Sequence, residues 1–147
     1  MNIRDVLFQI TIRMLLLATM VHEYGHLLSL RIMGFDGAIY ARALNMVYPV
    51  DIAHMTINQQ YLFFFSGGMF QALIFLTLSL WDKDEENRLV NKMVVIQGVI
   101  YGLFEGLMPR MWWEFGASIA LVISIAFMVI VLAKSSQDPS PVPPTPV

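Results

Sequence analysis

Four long apolar segments dominate the chain and determine the architecture that it predicts. They cover residues 6–33, 61–81, 89–108 and 112–133, and each is close to the ~20 apolar residues that a helix needs to cross a bilayer. We therefore predict an all-α membrane protein with about four transmembrane helices, which form a single transmembrane domain over residues 1–134.

The stretches between and after these segments are polar. Residues 34–60 are too polar to cross a membrane. Within them, residues 38–44 are typical of a short β-strand or hairpin, although an ordinary loop fits the same residues. Residues 81–88 predict a solvated acidic loop. Residues 135–147 are rich in Ser and Pro, which predicts a disordered tail.

The composition agrees with a membrane location. Hydrophobic residues make up 57% of the chain and charged residues 14%, far from the average of soluble domains. This favours a multi-pass integral membrane protein of a bacterial cell membrane or an equivalent organelle membrane. A net charge of −2 gives no basic surface, so no nucleic-acid partner is expected. Because the chain has no cysteine, a metal site would have to use His, Asp or Glu.

An HExxH motif, formed by His22, Glu23 and His26, lies inside the first apolar segment. Histidines four residues apart share one face of a helix, where they can bind one Zn²⁺, and the glutamate between them can act as a general base. Ionisable groups in lipid cost about 2.5–3.5 kcal/mol each, so such residues usually have a function. The alternative is a helix whose polar groups pair with each other or line a water-filled cavity.

A catalytic zinc usually has three protein ligands, so a third ligand is needed. The candidates are Glu105, Glu114, Asp51 and His54. Glu105 is the best of them, because it lies inside the third apolar segment, where a carboxylate needs a partner. The alternative for Glu105 is a structural carboxylate bonded to Tyr101, Gln97 or another helix.

The helical position and depth of Glu105 support this choice. Gly98, Gly102 and Gly106 recur every four residues and form a smooth stripe on which another helix can pack, and Glu105 lies at the edge of that stripe. His26 is expected about 12 Å, and Glu105 about 6 Å, from the same side of the membrane. The Gly-rich residues 66–71 fall in the same layer, at a depth of roughly 8–15 Å.

Together these motifs resemble the site-2 protease family of intramembrane zinc metalloproteases. The sequence His22-Glu23-Tyr24-Gly25-His26 fits that family's HExGH motif. Phe104-Glu105-Gly106 resembles a variant of its Leu-Asp-Gly signature, whose acidic residue is the third ligand. Residues 66–71 resemble its Gly-rich membrane-inserted segment, with Gln71 where an asparagine is usual. The resemblance covers about residues 10–110.

The resemblance implies an intramembrane zinc metalloprotease, a zinc metalloendopeptidase that hydrolyses a peptide bond of a membrane-anchored protein substrate. His22, His26 and Glu105 would bind Zn²⁺, and Glu23 would activate the zinc-bound water. Residues 38–44 would hold the unwound substrate by strand addition. The expected substrate-binding residues are Gln71, Gly67 and Gly68.

A second class of function stays open at this stage. The chain could be a catalytically silent, site-2-protease-like scaffold or assembly subunit that binds partner membrane subunits. A metal carrier is a further alternative, although one HExxH motif and one carboxylate provide no relay across a bilayer. Metal content and a Glu23→Gln variant distinguish these alternatives.

Overall fold

The computed structural model describes residues 3–42, 45–47 and 52–107, and parts of the stretch from 119 to 133. In chain order its elements are α1 (Ile3–Ile12), a π-helical segment (Arg13–Ala18), α2 (Thr19–Ile32), β1 (Tyr40–Arg42), β2 (Asn45–Val47), a 3-10 turn (Ile52–His54), α3 (Ile57–Trp81) and α4 (Glu85–Leu107). The fold is thus mainly helical, with one small hairpin between α2 and α3.

The first predicted segment is one run of helix that changes its winding in the middle. The π segment opens with Arg13, whose guanidinium donates hydrogen bonds to the side-chain oxygens of Asn87 and Asn91 on α4. At its end the hydroxyl of Thr19 donates to the carbonyl of Met14, 3.2 Å away. Arg13 thus joins the first helix to α4.

The end of α2 is set by Gly34, whose φ of 80° lies in the left-handed region that glycine adopts without strain. Its N–H donates to the carbonyl of Arg31, and the N–H of Phe35 donates to that of Leu30. These two bonds form a Schellman motif, which satisfies the last carbonyls of the helix. The side chain of Phe35 then packs against the apolar cluster that contains Leu30.

A two-stranded antiparallel hairpin follows this turn. Strand β1 pairs with β2, with Tyr40 opposite Val47 and Arg42 opposite Asn45. The strand predicted at residues 38–44 therefore overlaps β1.

Helix α3 begins earlier than its apolar stretch suggests, at Ile57 rather than at residue 61. The cause is a capping box: the hydroxyl of Thr56 accepts a hydrogen bond from the N–H of Gln59, and the Gln59 side chain accepts one from the N–H of Thr56. These bonds satisfy two backbone N–H groups at the start of the helix that have no acceptor within the helix itself.

Helix α4 also begins earlier than predicted. The loop expected at residues 81–88 is shorter, because α3 continues to Trp81 and α4 starts at Glu85, which leaves only residues 82–84 between them. Glu85 and Glu86 lie in the first turn of α4, where a carboxylate is stabilised by the positive end of the helix dipole.

Helix α3 packs against α4 along most of its length and against α2 on another side, and the first helix also contacts α4. Two apolar clusters hold these helices together. One joins the first helix to α3 and α4 around Met14, Phe75 and Val94, and the other joins α2 to α3 around Leu30 and Phe63. Between the two clusters α2 carries buried His22 and His26 and α3 carries buried Gln71, so a polar layer separates the clusters.

Among the described residues, α3 alone is long and apolar enough to cross a membrane by length and composition. The four transmembrane helices that the sequence predicted are therefore not supported in that form. The π segment divides the first helix into pieces of 10, 6 and 14 residues, and polar side chains such as Gln97 interrupt α4. The fourth predicted segment and the tail lie largely or wholly outside the described residues.

Candidate metal centre

The structure brings His22, His26 and Glu105 together in the polar layer between α2 and α4. The Nε2 atoms of the two histidines lie 3.0 Å apart. Oε2 of Glu105 lies 3.1 Å from Nε2 of His22 and 3.5 Å from Nε2 of His26. All three residues are buried, with exposed fractions of 6%, 4% and 8%. These residues could hold a metal ion.

The three ligand atoms have the separations that a small divalent cation requires. In a tetrahedral site with bonds of about 2.0–2.1 Å, neighbouring ligand atoms lie about 3.3 Å apart. The circle through the three atoms has a radius of about 1.9 Å, so a point about 2.1 Å from all of them exists just outside their plane. The donor set therefore fits a metal ion without a large movement of any helix.

Helix α3 approaches the histidine pair closely because it carries a glycine there. A Cβ atom on Gly67 would lie 2.7 Å from Nε2 of His22 and would also collide with the ring of His26. A second glycine, Gly25, lets α2 approach the backbone of α3 closely. A Cβ atom on Gly25 would lie 2.7 Å from the carbonyl oxygen of Ser66. Both glycines let α2 and α3 pack closely at the level of the site.

The carbonyl of Phe63 orients the ring of His26. It lies 2.7 Å from Nδ1 of His26, which must therefore carry the proton and donate it. Nε2 is then left with its lone pair directed toward His22 and Glu105, the tautomer that a metal ligand needs. Ser66 Oγ lies 2.6 Å from the same carbonyl and 2.9 Å from Ser29 Oγ, so the anchoring carbonyl belongs to a hydrogen-bonded network.

Glu23 lies one residue after the first histidine and is half-buried. Its carboxylate is close enough to His26 and Glu105 to interact with both electrostatically. A carboxylate beside the ligand set, but outside it, is the placement expected of a general base.

The other sequence candidates for a third ligand do not join this group within the described part of the chain. His54 is exposed at the end of the 3-10 turn. Asp51 and Glu114 lie outside the described residues.

The three predicted substrate-binding residues have other contacts in the structure. Gln71 is 2% exposed and donates to the carbonyl of Val94 and to Oε1 of Gln97, which lies 2.6 Å away, so both of its amide hydrogens are directed to α4. Gly67 lies against the histidine rings, and a Cβ on Gly68 would collide with the backbone of α4. These residues therefore join helices and make room for the ligands.

Two aromatic rings flank the histidines, and the sequence did not single them out as site residues. The ring of Tyr101 meets that of His22 edge to face, with centroids 4.8 Å apart. The ring of Phe63 lies at the same distance from that of His26. Tyr101 precedes Glu105 by four residues on α4, a helical spacing that could have indicated their shared face.

No protein-family model, no curated protein and no solved structure matches this chain. The chemistry of the site therefore follows from its own residues.

Proposed function

We propose that the protein is an intramembrane zinc metalloendopeptidase, which hydrolyses a peptide bond of a membrane-anchored substrate. The observation that carries this proposal is the convergence of two imidazole nitrogens and one carboxylate oxygen within 3.5 Å of one another, next to the carboxylate of Glu23. The resemblance of the motifs around these residues to site-2 proteases supports the same class.

The donor set favours zinc over other cations. Two neutral imidazoles and one carboxylate form a ligand set found in catalytic zinc sites, which leave a position open. His22, His26 and Glu105 would hold the ion. Zinc bound there would polarise a carbonyl group and lower the pKa of water toward neutrality.

Glu23 would move the proton during hydrolysis. It would accept a proton from the attacking water as the new bond forms between the water oxygen and the scissile carbonyl carbon. It would then give that proton to the amide nitrogen as the carbon–nitrogen bond breaks, so that the products are a carboxylic acid and an amine. Its electrostatic interaction with His26 and Glu105 supports this role.

A multi-pass membrane location is supported by the distribution of polar and apolar side chains. Buried positions include His22, Gln71, Asn91 and Glu105. Exposed positions include large apolar residues on every long helix: Phe8, Leu17, Leu28, Leu73, Leu80 and Leu103. Water disfavours this arrangement, whereas lipid favours it, because the bilayer solvates the apolar side chains and the bundle interior satisfies the polar ones.

The hairpin offers a place for the substrate. A transmembrane helix must unwind before cleavage, because its carbonyls are otherwise bonded within the helix. The hairpin has two strands in the described part of the chain, so an extended substrate segment could add to its edge by main-chain hydrogen bonds.

The test compares wild-type protein with a Glu23→Gln variant in liposomes. The probes are single-span model substrates that carry a helix-weakening Gly-Pro pair at different depths. We expect zinc in both proteins, and cleavage that is about 10²–10⁴-fold slower in the variant than in the wild type. The matched control is Glu85→Gln, which removes an exposed charge from the start of α4 and should cleave normally.

Two results would contradict the proposal. Equal cleavage by wild type and Glu23→Gln would exclude Glu23 as the base. A zinc-loaded wild-type protein that cleaves none of the probes would favour the catalytically silent assembly subunit.

A further inference from the structure

Few groups in the described part of the site can donate a hydrogen bond to a new ligand. The hydroxyl of Ser29 donates to the carbonyl of His26, and that of Ser66 is directed toward Ser29 and the Phe63 carbonyl. The amide hydrogens of Gln71 are directed to α4. These three side chains are therefore engaged in holding the helices together.

Tyr101 differs from them. Its ring is held edge to face against His22, one of the proposed ligands. The ring is partly buried, and the phenol interacts electrostatically with the carboxylates of Glu105 and Glu23. Its hydroxyl makes no hydrogen bond to another described residue. Tyr101 thus brings an available O–H donor next to His22, whereas the nearby hydroxyls of Ser29 and Ser66 are engaged in other hydrogen bonds.

We infer that Tyr101 is a further catalytic residue, whose phenol hydroxyl donates a hydrogen bond to the carbonyl oxygen of the scissile peptide as negative charge develops on it. This inference rests on the proposed function. The hydroxyl keeps its proton throughout, so no covalent bond of Tyr101 forms or breaks.

The need for such a donor follows from the charges of the site. Attack on the peptide carbonyl moves negative charge onto its oxygen, which the metal would offset in part, while the Glu105 carboxylate carries charge of the same sign nearby. Glu105 cannot donate a hydrogen bond while it is ionised, and the proton that Glu23 takes from the water is destined for the amide nitrogen. A fixed donor aimed at the developing oxyanion typically contributes about 10²–10³-fold to the rate. The packing of its ring against His22 holds Tyr101 beside the proposed ligands.

The test uses the full chain in detergent micelles, loaded with Co²⁺ in place of zinc, and acetohydroxamate as the probe. Acetohydroxamate binds a metal through two oxygens and presents one of them as an anionic acceptor. Visible absorption of Co²⁺ reports both metal binding and probe binding. Tyr101→Phe removes the hydroxyl but keeps the ring against His22, and Tyr61→Phe, an exposed tyrosine on α3, is the matched control.

We expect Tyr101→Phe to bind Co²⁺ as tightly as the wild type but to bind acetohydroxamate about 10-fold more weakly, as the loss of a hydrogen bond to a charged acceptor requires. Tyr61→Phe should match the wild type in both. Unchanged acetohydroxamate affinity in Tyr101→Phe would overturn the role of Tyr101 and leave the metal site standing. A fall in Co²⁺ affinity as large as the fall in acetohydroxamate affinity would show that Tyr101 only supports His22. That result would also overturn the catalytic role of Tyr101. A wild type with no Co²⁺ absorption would overturn the proposed function as well.

Discussion

At the scale of single residues, the site depends on the glycine at position 67, which has no side chain. Gly67 lies where any Cβ atom would meet the two Nε2 atoms that are proposed to bind the metal. Its role is therefore steric: it allows α3 to approach α2 while the imidazoles keep their orientation. The Phe63 carbonyl, one turn earlier on α3, then fixes the tautomer of His26.

Replacing Gly67 should therefore weaken metal binding. We expect Gly67→Ala to lower zinc affinity by about 10–100-fold, the range found when a residue that orients metal ligands is changed. Competition titration with a chromophoric chelator measures the affinity, and circular dichroism checks that the helices persist. Met69→Ala, on the exposed side of the same helix, is the control and should bind zinc normally. An unchanged zinc affinity in Gly67→Ala would contradict the placement of α3.

At the scale of helices, the site requires α3 and α4 to keep a fixed register. Glycines on both helices allow a close approach, since a Cβ on Gly68 would meet the backbone of Gly98 and Gly102. A buried pair of amides, Gln71 and Gln97, then joins the helices by a direct hydrogen bond. This pair fixes the position of α4 along the axis of α3, and hence the level of Glu105 within the helix bundle.

The effects of replacing Gln71 and Gln97 on the free energy of unfolding should be strongly coupled. Gln71→Leu should destabilise the fold by about 1–3 kcal/mol, because it leaves the Gln97 amide and the Val94 carbonyl buried without their partner. The double variant with Gln97→Leu should lose less than the sum of the single variants. Denaturation in micelles measures the three free energies of unfolding, with Gln9→Leu at an exposed position of α1 as the control. Additive losses would show that the two amides do not interact.

Much of this element-scale structure could be predicted from local spacing. The four-residue repeat of glycines in α4 indicated the face that packs on α3, and the four-residue spacing of His22 and His26 indicated a shared face toward Glu105. The Thr56 capping box was also readable as a Thr followed three residues later by Gln, and it would have given the start of α3 correctly.

Other features depend on contacts between distant parts of the chain and could not be read locally. The π segment coincides with bonds from Arg13 to two asparagines more than 70 residues away. The Phe63 carbonyl that orients His26 is a backbone group, which leaves no signal in the sequence. The partners of Gln71 on α4 lie 23 and 26 residues away and were not apparent either, whereas its assignment to the substrate stays a prediction.

At the scale of the whole molecule, the described outer surface of the helices is unusually apolar. It carries many leucine, phenylalanine and isoleucine side chains, whereas the interior holds His, Glu, Gln and Asn side chains beside its two apolar clusters. We interpret this surface as an adaptation to the proposed lipid environment, in which the proposed metal site would be shielded and a membrane-anchored substrate would reach it from the side.

Because the chain has no cysteine, single cysteines can test this arrangement directly. Leu28→Cys and Leu73→Cys, on exposed apolar faces, should not react with a membrane-impermeant maleimide in intact membranes. Lys83→Cys, in the connection between α3 and α4, should react from one side of the membrane. All three should react after denaturation. Equal labelling of Leu28→Cys, Leu73→Cys and Lys83→Cys in intact membranes would contradict a transmembrane bundle.

The central claim is that His22, His26 and Glu105 form one zinc site, and zinc X-ray absorption of the purified full chain tests it most directly. The account predicts one zinc ion per chain, with two imidazole ligands and carboxylate oxygen at about 2.0–2.2 Å, and loss of the carboxylate contribution in Glu105→Ala. Protein that binds no zinc would contradict this claim. A spectrum that shows no pair of imidazole ligands, or one that Glu105→Ala leaves unchanged, would contradict it as well.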